Sequence, residues 1–262
     1  DILDRTLKPC EMAVRDAGRA LGFSEEQLNK ISKHLPYWIS DGEKPLAEFI
    51  AELFPAGVVN ILFGRGPSVG EPLVTHPKVR LVSLTGSVAT GSRIISSTAS
   101  SVKRTHMELG GKAPVLIFDD ADIDAAVEGI RAFGFYNAGQ DCTAACRLYV
   151  QQGVYETFVK KLGEAVSSIR YGLQDDPDTE LGPLITRDHL ERVEGFVERA
   201  KAQPHIRVIT GGKRVDGPGF FFEPTVLADA RQDDEIVQRE VFGPVLSITP
   251  FTDEAQALAF AN

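Results

Sequence analysis

Cysteine is scarce in this chain, and its scarcity excludes a disulfide framework. The 262 residues contain three cysteines, Cys10, Cys142 and Cys146. A small, odd number of cysteines fits a protein of a reducing compartment, so we expect a cytoplasmic location. Cys142 and Cys146 have no histidine nearby in the sequence, which makes them a poor zinc site. We therefore expect no metal, and one reactive thiol is the more useful hypothesis.

Long apolar runs and an excess of positive charge are also missing. The longest aliphatic stretches, such as 114–118, have the length of a strand, far below the roughly 20 residues that cross a bilayer. Lys and Arg total 28 against 37 Asp and Glu, which gives a net charge of −9. A chain this acidic has no electrostatic attraction to phosphate backbones or anionic lipid. We expect neither nucleic acid nor a membrane as a partner.

What the chain does contain is an alternation of strand and helix patterns. The composition, 43% apolar and 25% charged, is typical of a folded protein. Residues 1–43 have helical spacing, and beyond them the alternation is typical of an α/β protein with mostly parallel sheets. The predicted strands are 58–63, 79–84, 103–109, 113–118, 147–151, 207–210, 220–227 and 245–249; the predicted helices are 46–54, one from about 89, one capped by Asp122, 155–170 and 187–203.

The first motif with chemical meaning is a glycine turn between a predicted strand and a predicted helix. Gly86 and Ser87 form the turn, and Val88, Ala89 and Thr90 begin the helix. Free backbone N–H groups at such a helix start favour a phosphate. No Lys-Ser/Thr pair follows, so this is not an NTPase loop, and a plain turn is the alternative interpretation.

Glu108 stands at the end of an apolar strand pattern, and two glycines, Gly110 and Gly111, follow shortly after it. A carboxylate there would lie where a sheet meets a crevice, and burial would raise its pKa toward neutrality, as a general base requires. The alternative is a strand-end carboxylate paired with Lys103 or Lys112. This segment alone leaves both interpretations open.

Cys142 follows a glycine break at the end of an apolar helical pattern. A thiolate among backbone amides can attack a carbonyl while the same amides stabilise the oxyanion. The alternative is a buried, inert cysteine, which we expect Cys146 to be. No histidine belongs to an evident triad, and His189 is expected to be solvated or structural. A thiol acting with a glutamate near a dinucleotide-type turn is the more economical combination. The five histidines are His34, His76, His106, His189 and His205.

Three segments taken together resemble the aldehyde dehydrogenase superfamily. They are 107–112 (MELGGK), 137–143 (NAGQDCT) and 240–245 (EVFGPV), and they occur in the family's order. Three motifs in that order are highly specific. The resemblance covers about residues 44–262, and it implies a partial Rossmann-like cofactor domain followed by a catalytic α/β domain.

The resemblance implies the chemistry of two residues. Cys142 would add to an aldehyde to give a thiohemiacetal, and loss of a hydride to NAD(P) would leave a thioester on the sulfur. Glu108 would activate the water that hydrolyses this thioester to a carboxylic acid. General-base help of this kind is worth about 10²–10⁴ in rate.

The same resemblance implies the cofactor contacts. Glu240 would hold the nicotinamide ribose, and Phe242 would lie nearby. We expect NAD as the cofactor, and NADP is not excluded because the family's adenosine-ribose selector has no counterpart here. The residues that would face the cofactor diphosphate are Gly86, Ser87, Val88, Ala89 and Thr90.

The substrate expectation rests on the run 139–146 (GQDCTAAC), which most resembles the bacterial γ-aminobutyraldehyde dehydrogenase branch of putrescine degradation. Asp141, beside the nucleophile, would pair with the terminal ammonium of an aminoaldehyde such as 4-aminobutanal. The alternative is that Asp141 points away and only tunes the thiol. The family also implies a homo-oligomer, although the oligomeric state of this chain is open.

The resemblance divides the chain into three parts. Residues 1–43 do not match the family and form a helical segment of unknown role. Residues 44–109 are a partial NAD-binding domain, and 110–262 are a catalytic domain that stops short of the family's last elements. The family's N-terminal half has no counterpart, so two rivals stay open. One is a catalytically inactive truncated or fused remnant, and the other is a cofactor-independent thiol esterase that uses Cys142 and Glu108.

Overall fold

The computed structural model describes residues 57, 58, 60, 62–173 and 175–262, and the chain divides into two compact units, 1–79 and 80–262. The helical segment predicted for 1–43, which contains Cys10, lies outside the described residues. So does the helix predicted for 46–54.

The described part of the first unit is a π-helical turn, Gly66–Gly70, that continues into helix α1, Glu71–Thr75. The strand predicted for 58–63 is wrong for its described residues, since none of them is in a strand. An apolar run becomes a strand only where a neighbouring backbone pairs with its N–H and C=O groups. Leu62 and Phe63 instead lie exposed.

The elements of the second unit alternate between strand and helix along the chain. They are β1 (Leu81–Gly86), α2 (Val88–Thr98), β2 (Arg104–Leu109), β3 (Pro114–Ile117), α3 (Ile123–Phe135), β4 (Arg147–Gln151), α4 (Tyr155–Ser167), α5 (Arg187–Lys201), β5 (Arg207–Thr210), β6 (Thr225–Ala228), α6 (Glu235–Gln238), β7 (Val245–Phe251) and α7 (Glu254–Ala261). Short 3-10 turns follow α2 at Ala99–Ser101 and α3 at Tyr136–Gly139.

The strands of this unit form two sheets. β1 and β2 pair in parallel as a two-stranded sheet, and the other sheet has the strand order β3-β4-β7-β6-β5. Neighbours in the five-stranded sheet are parallel except β5 and β6, which are antiparallel. The predicted α/β class with mostly parallel sheets is confirmed.

Parallel pairing of β1 with β2 brings together the strand ends that carry the motifs. Thr85 lies opposite Glu108, and Gly86 lies opposite Leu109. The Gly110 N–H donates to the Gly86 carbonyl at 3.2 Å, which extends the pairing by one residue. Because the carboxyl ends of parallel strands share one edge of a sheet, the turn at Gly86 and the Glu108 side chain meet there.

The five-stranded sheet holds the hydrophobic core. Leu148, Tyr149 and Val150 of β4 are fully buried, and so is every residue of β6. Continuous burial along a strand is typical of a sheet covered on both faces. Helix α4 packs against β4, β5, β6 and α3. Its predicted apolar stripe is buried, at Phe158, Leu162, Val166 and, just past its end, Ile169.

Several element boundaries differ from the prediction. The strand predicted for 220–227 is confined to β6, since Pro224 has no N–H to donate and Phe222 makes only an isolated bridge to Arg214. Helices α6 and α7 were not predicted. Helix α7 nevertheless has a readable start, because the Asp253 carboxylate accepts the Gln256 N–H at 2.9 Å as an N-cap.

Two absences hold for the described part of the chain. None of its helices has both the length and the apolar character of a membrane span. It also contains no group of three or more His, Cys, Asp or Glu side chains placed to bind a metal ion.

Candidate active site

A cleft of about 280 Å³ lies where the end of the two-stranded sheet faces α5 and the segment before β7. It also includes His189 and Arg192, which the sequence analysis did not select. Six residues proposed from the sequence line it: Gly86, Ser87, Glu108, Cys142, Glu240 and Phe242. Four others do not line it, although each is adjacent in the chain to a lining residue or to the same helical turn: Val88, Ala89, Thr90 and Asp141. The fold thus assembles the three motifs and the glycine turn at one place.

The turn after β1 is organised as a capped helix start. Ser87 is the N-cap of α2, and its Oγ accepts the Thr90 N–H at 3.2 Å. The first amides of such a helix, here those of Val88 and Ala89, have no acceptor within the helix. They form the positive end of the helix dipole, which favours an anionic group. Val88 and Ala89 would therefore bind an anionic group through their backbone N–H groups.

Glu108 lies at the end of β2, and its side chain is 66% exposed. Of the two interpretations left open, the one that required burial of this carboxylate is therefore wrong, because most residues of β2 are exposed. His106 Nε2 lies 3.4 Å from Glu108 Oε1, and His106 Nδ1 lies 3.2 Å from Ser83 Oγ. The structure pairs the carboxylate with an imidazole, a partner that the sequence analysis did not name.

Cys142 follows a strained turn at the end of α3, and its side chain is exposed. Asn137, Ala138 and Gly139 have φ values of 50°, 56° and 68°, in the left-handed region. Non-glycine residues there cost on the order of 1–3 kcal/mol each, so the surrounding packing has to hold them. A Cβ on Gly139 would lie 2.1 Å from the Gly243 carbonyl oxygen, so glycine is required where the two loops meet.

Asp141 is turned toward its own loop. Its Oδ1 accepts hydrogen bonds from the Thr143 N–H at 2.9 Å and the Thr143 hydroxyl at 3.0 Å. Asp141 and Cys142 together border a separate cavity of about 10 Å³. Within the described residues Oδ2 of Asp141 has no hydrogen bond. One oxygen therefore shapes the loop that carries Cys142, and the other is open.

Glu240 and Phe242 lie on the segment 239–244, which precedes β7. Glu240 Oε1 accepts the Gly111 N–H at 3.2 Å, and a Cβ on Gly110 would lie 2.1 Å from Glu240 Oε2. The two glycines that follow Glu108 therefore allow the Glu240 carboxylate to reach the edge of the two-stranded sheet.

His189 and Arg192 are the site residues that the sequence analysis missed. His189 Nε2 lies 2.6 Å from the Phe242 carbonyl oxygen, and Arg192 donates to the carbonyls of the two preceding residues. The sequence holds one signal for them: Thr186 is the N-cap of α5 and accepts the His189 N–H at 3.2 Å. That cap places residues 189 and 192 on one face, but no local pattern shows which distant carbonyls lie against it.

Lys112 follows Gly111 in the motif after Glu108, and its side chain is half-buried. The pKa of its ammonium lies below the usual value, chiefly because burial disfavours the charged form. The nearby Arg147 and Arg192 also lower this pKa, while Cys146 and Glu240 partly offset the shift. Among the described residues, none makes a hydrogen bond or an ion pair with Lys112. Its charge contributes to the positive surroundings of the Glu240 carboxylate.

A second cavity, also of about 280 Å³, lies between α5 and α6. The charged groups around it pair with one another: His205 Nε2 lies 2.8 Å from Asp234, and Arg199 Nε lies 2.7 Å from Glu235. No motif residue borders this cavity, so the first cleft is the candidate active site.

The groups of that cleft fit a nicotinamide dinucleotide. The capped start of α2 presents free amides to a diphosphate, and the Glu240 carboxylate can accept hydrogen bonds from ribose hydroxyls. The exposed thiol of Cys142 borders the same space. The cleft therefore brings together a thiol, two carboxylates and free backbone amides.

The model of the Aldehyde dehydrogenase family matches residues 10–262. The chain belongs to this family. The match begins earlier than about residue 44, so the expectation that 1–43 lies outside the family is wrong from residue 10 onward. The motifs on which the expectation rested all lie in the later part of the chain, and they carry no information about its first residues.

Relatives with curated names agree with this assignment. The chain is 39% identical over 255 residues to a betaine aldehyde dehydrogenase of Cereibacter sphaeroides, covering 97% of this chain and 52% of the relative. It is 43% identical over 218 residues to the lactaldehyde dehydrogenase of Escherichia coli, covering 82% and 45%. The chain thus spans about half the length of these relatives.

Solved structures show the same fold. Betaine aldehyde dehydrogenase from Staphylococcus aureus, described in complex with NAD+, matches with a TM-score of 0.79 and 40% identity over 82% of this chain and 44% of that chain. Lactaldehyde dehydrogenase from Escherichia coli matches with a TM-score of 0.80 and 43% identity, over 82% and 46%. At these identities the chain has an aldehyde dehydrogenase fold.

Proposed function

We propose that this chain catalyses the NAD-dependent oxidation of an aldehyde to a carboxylic acid. The observation that carries the proposal is the convergence of Cys142, Glu108, Glu240 and the capped turn at Ser87 on one cleft. Family membership supports it, and so does the NAD+ complex described for the Staphylococcus aureus relative.

Cys142 is the nucleophile in this proposal. Its sulfur bonds to the carbonyl carbon, and the carbonyl oxygen takes up a proton, which gives a thiohemiacetal. That carbon then loses a hydride and the hydroxyl loses its proton, which leaves a thioester on the sulfur. NAD+, when bound, accepts the hydride.

Glu108 is the general base of the second half-reaction. Its carboxylate takes a proton from water as the water oxygen attacks the thioester carbon, and the carbon–sulfur bond breaks. The products are the carboxylic acid and the Cys142 thiolate, and the proton on Glu108 then passes to the sulfur or to solvent, which returns both groups to their starting state. The exposure of Glu108 at the cleft leaves room for that water.

The cofactor would be held from two sides. The free amides of Val88 and Ala89 would face the diphosphate, while the Thr90 N–H stays on the capping Ser87 hydroxyl, and Glu240 would accept hydrogen bonds from the nicotinamide ribose. Phe242 would lie near the nicotinamide. We favour NAD over NADP, and the Staphylococcus aureus relative supports that choice, although an Escherichia coli relative is named for NADP(+).

The substrate we favour is an aminoaldehyde such as 4-aminobutanal, as in putrescine degradation. The open Oδ2 of Asp141, next to Cys142 in sequence and at the same small cavity, supports recognition of an ammonium group. Relatives named for betaine aldehyde, itself a cationic aldehyde, point the same way. The other relatives act by name on lactaldehyde and succinate semialdehyde.

Three further expectations stay predictions. They are the division into a cofactor part (44–109) and a catalytic part (110–262), a homo-oligomeric state, and a cytoplasmic location.

NADH formation by the purified 262-residue chain tests the proposed function. With 4-aminobutanal and NAD+, we expect an NADH signal that Cys142→Ala abolishes. Cys146→Ala is the matched control, because this half-buried thiol lies outside the main cleft, and we expect it to keep most of the activity. A Cys142→Ala variant that is as active as the parent would remove Cys142 from the nucleophile role.

The same samples separate the rivals. A folded parent chain that forms no NADH with any aldehyde would favour an inactive remnant. Hydrolysis of p-nitrophenyl acetate without NAD+, together with no NADH formation, would favour the thiol esterase. A rate with hexanal equal to that with 4-aminobutanal would remove the ammonium preference and leave the oxidation itself intact.

A further inference from the structure

Side chains of α5 hold the segment that carries Glu240 and Phe242. The Arg192 guanidinium donates from Nη2 to the Glu240 carbonyl at 2.6 Å and from Nη1 to the Val241 carbonyl. His189 Nε2 lies 2.6 Å from the Phe242 carbonyl oxygen. Because a carbonyl only accepts, Nε2 is the protonated nitrogen of this ring. Three successive carbonyls are thus bonded by two side chains one helical turn apart.

This segment needs external support, because its backbone belongs to neither helix nor strand. Phe242 has a φ of 60°, a left-handed conformation that a bulky residue adopts only when its surroundings hold it. Val241 is buried, so its carbonyl would be costly to leave unpaired. The hydrogen bonds from α5 meet both requirements.

The chain just before α5 holds the nucleophile loop as well. The Gln140 side chain accepts the Ile185 N–H at 2.9 Å, and its amide group donates to the Pro183 carbonyl at 3.5 Å. The two loops also touch each other, since Gly139 lies against the Gly243 carbonyl. The stretch 183–192 therefore contacts both sides of the cleft.

We propose that Arg192 and His189 are positioning residues, which set the Glu240 carboxylate and the Phe242 ring relative to Cys142. The proposal rests on the proposed function, because the role of Glu240 is to hold the cofactor ribose. Arginine is suited to this task, since its planar fork bonds two adjacent acceptors at once and a lysine ammonium cannot.

Arg192→Met tests the proposal on the whole chain. We expect the dissociation constant for NAD+, measured by calorimetry, to rise about tenfold, and deuterium uptake in 239–244 to become faster. For aldehyde oxidation, we expect KM for NAD+ to rise more than kcat falls. His189→Leu should act in the same direction. His189→Gln should keep most of the parent NAD+ affinity and protection from exchange, because its amide still donates.

Arg199→Met is the matched control on the same helix. Both guanidinium groups lie 4.9 Å from the Phe196 ring centre, but Arg199 pairs with Glu235 and does not reach the cleft segment. We expect parent-like NAD+ affinity and exchange in 239–244 from this variant.

Two results would overturn the positioning role. One is an Arg192→Met variant with parent-like exchange in 239–244, and the other is an Arg199→Met variant that changes as much as Arg192→Met. A parent chain that binds no NAD+ would count against the proposed function instead, and the exchange comparison would still decide the positioning role.

Discussion

The two sheets of the second unit differ in how they are covered. In the five-stranded sheet, β4, β6 and most of β7 are buried, as in a domain core. In the two-stranded sheet, Leu81 is 52% exposed and most residues of β2 are exposed. A two-stranded sheet by itself contributes little stability. The residues with chemistry nevertheless come from both, with Glu108 on the exposed sheet and Cys142 and Glu240 on loops of the buried one.

This contrast separates the residues that stabilise the fold from those that react. A side chain on β2 can be replaced with little loss of packing, because there are few packed neighbours to lose. A buried side chain of β4, β6 or β7 has packed neighbours whichever face of the sheet it points to. Substitutions should therefore affect catalysis and stability separately, depending on the sheet.

Glu108→Gln should show the largest effect, and only in catalysis. We expect thioester hydrolysis to slow about 10²–10⁴-fold, because the amide cannot take the proton from water. The free energy of unfolding should stay within about 0.5 kcal/mol, since the side chain is largely exposed. Rapid-mixing measurements of NADH should still show the initial burst.

The matched control for this carboxylate is Glu128→Gln, an exposed position on α3 outside the cleft. It should leave both the burst and the steady rate as in the parent. Loss of the burst in Glu108→Gln would place Glu108 before thioester formation and contradict the assigned role.

Leu246→Ala should show the opposite pattern, a loss of stability. Leu246 of β7 is fully buried and lies close to Gly134 of α3. Truncation removes packing and leaves a cavity, so we expect a loss of about 2–5 kcal/mol in urea unfolding. Leu81→Ala on β1 should cost less than about 0.5 kcal/mol. Equal costs would mean that the two-stranded sheet is as well packed as the core.

The sequence predicts a strand at each place where the second unit has one. Strands β4 and β5 were predicted with their observed bounds, since a short apolar run between turn signals allows few other structures. The stretch 58–63 has the same kind of pattern and forms no strand in its described residues. Local pattern measures apolar character, and pairing depends on residues elsewhere in the chain.

The site shows the same limit. The family resemblance, carried by the three motifs, led to Cys142, Glu108, Glu240 and Phe242, which the fold brings to one cleft. It could not lead to His189 and Arg192, because their partners are backbone carbonyls and carry no side-chain signature. One of the two interpretations of Glu108 required a buried carboxylate, because an apolar strand pattern suggests two covered faces.

Tyr155→Phe should have the smallest effect, and it sharpens the contrast within the core. The Tyr155 hydroxyl donates to Asp229 Oδ1 at 2.9 Å and accepts the Asp229 N–H at 2.7 Å. Losing it leaves the N–H of the half-buried Asp229 unpaired, so we expect a cost of about 1 kcal/mol. Tyr171→Phe, at a half-exposed ring, should cost almost nothing.

The pH dependence of the free energy of unfolding should also differ between the parent and Tyr155→Phe. Burial raises the pKa of Tyr155 above the ordinary 10.0, so the folded state favours the neutral phenol. Its contribution to stability is complete below about pH 10 and is lost as the pH rises toward the higher folded pKa. The parent should therefore lose stability above pH 10 more steeply than Tyr155→Phe does, in urea titrations at a series of pH values. Parallel curves for the two proteins would mean that the phenol is not held neutral by the core.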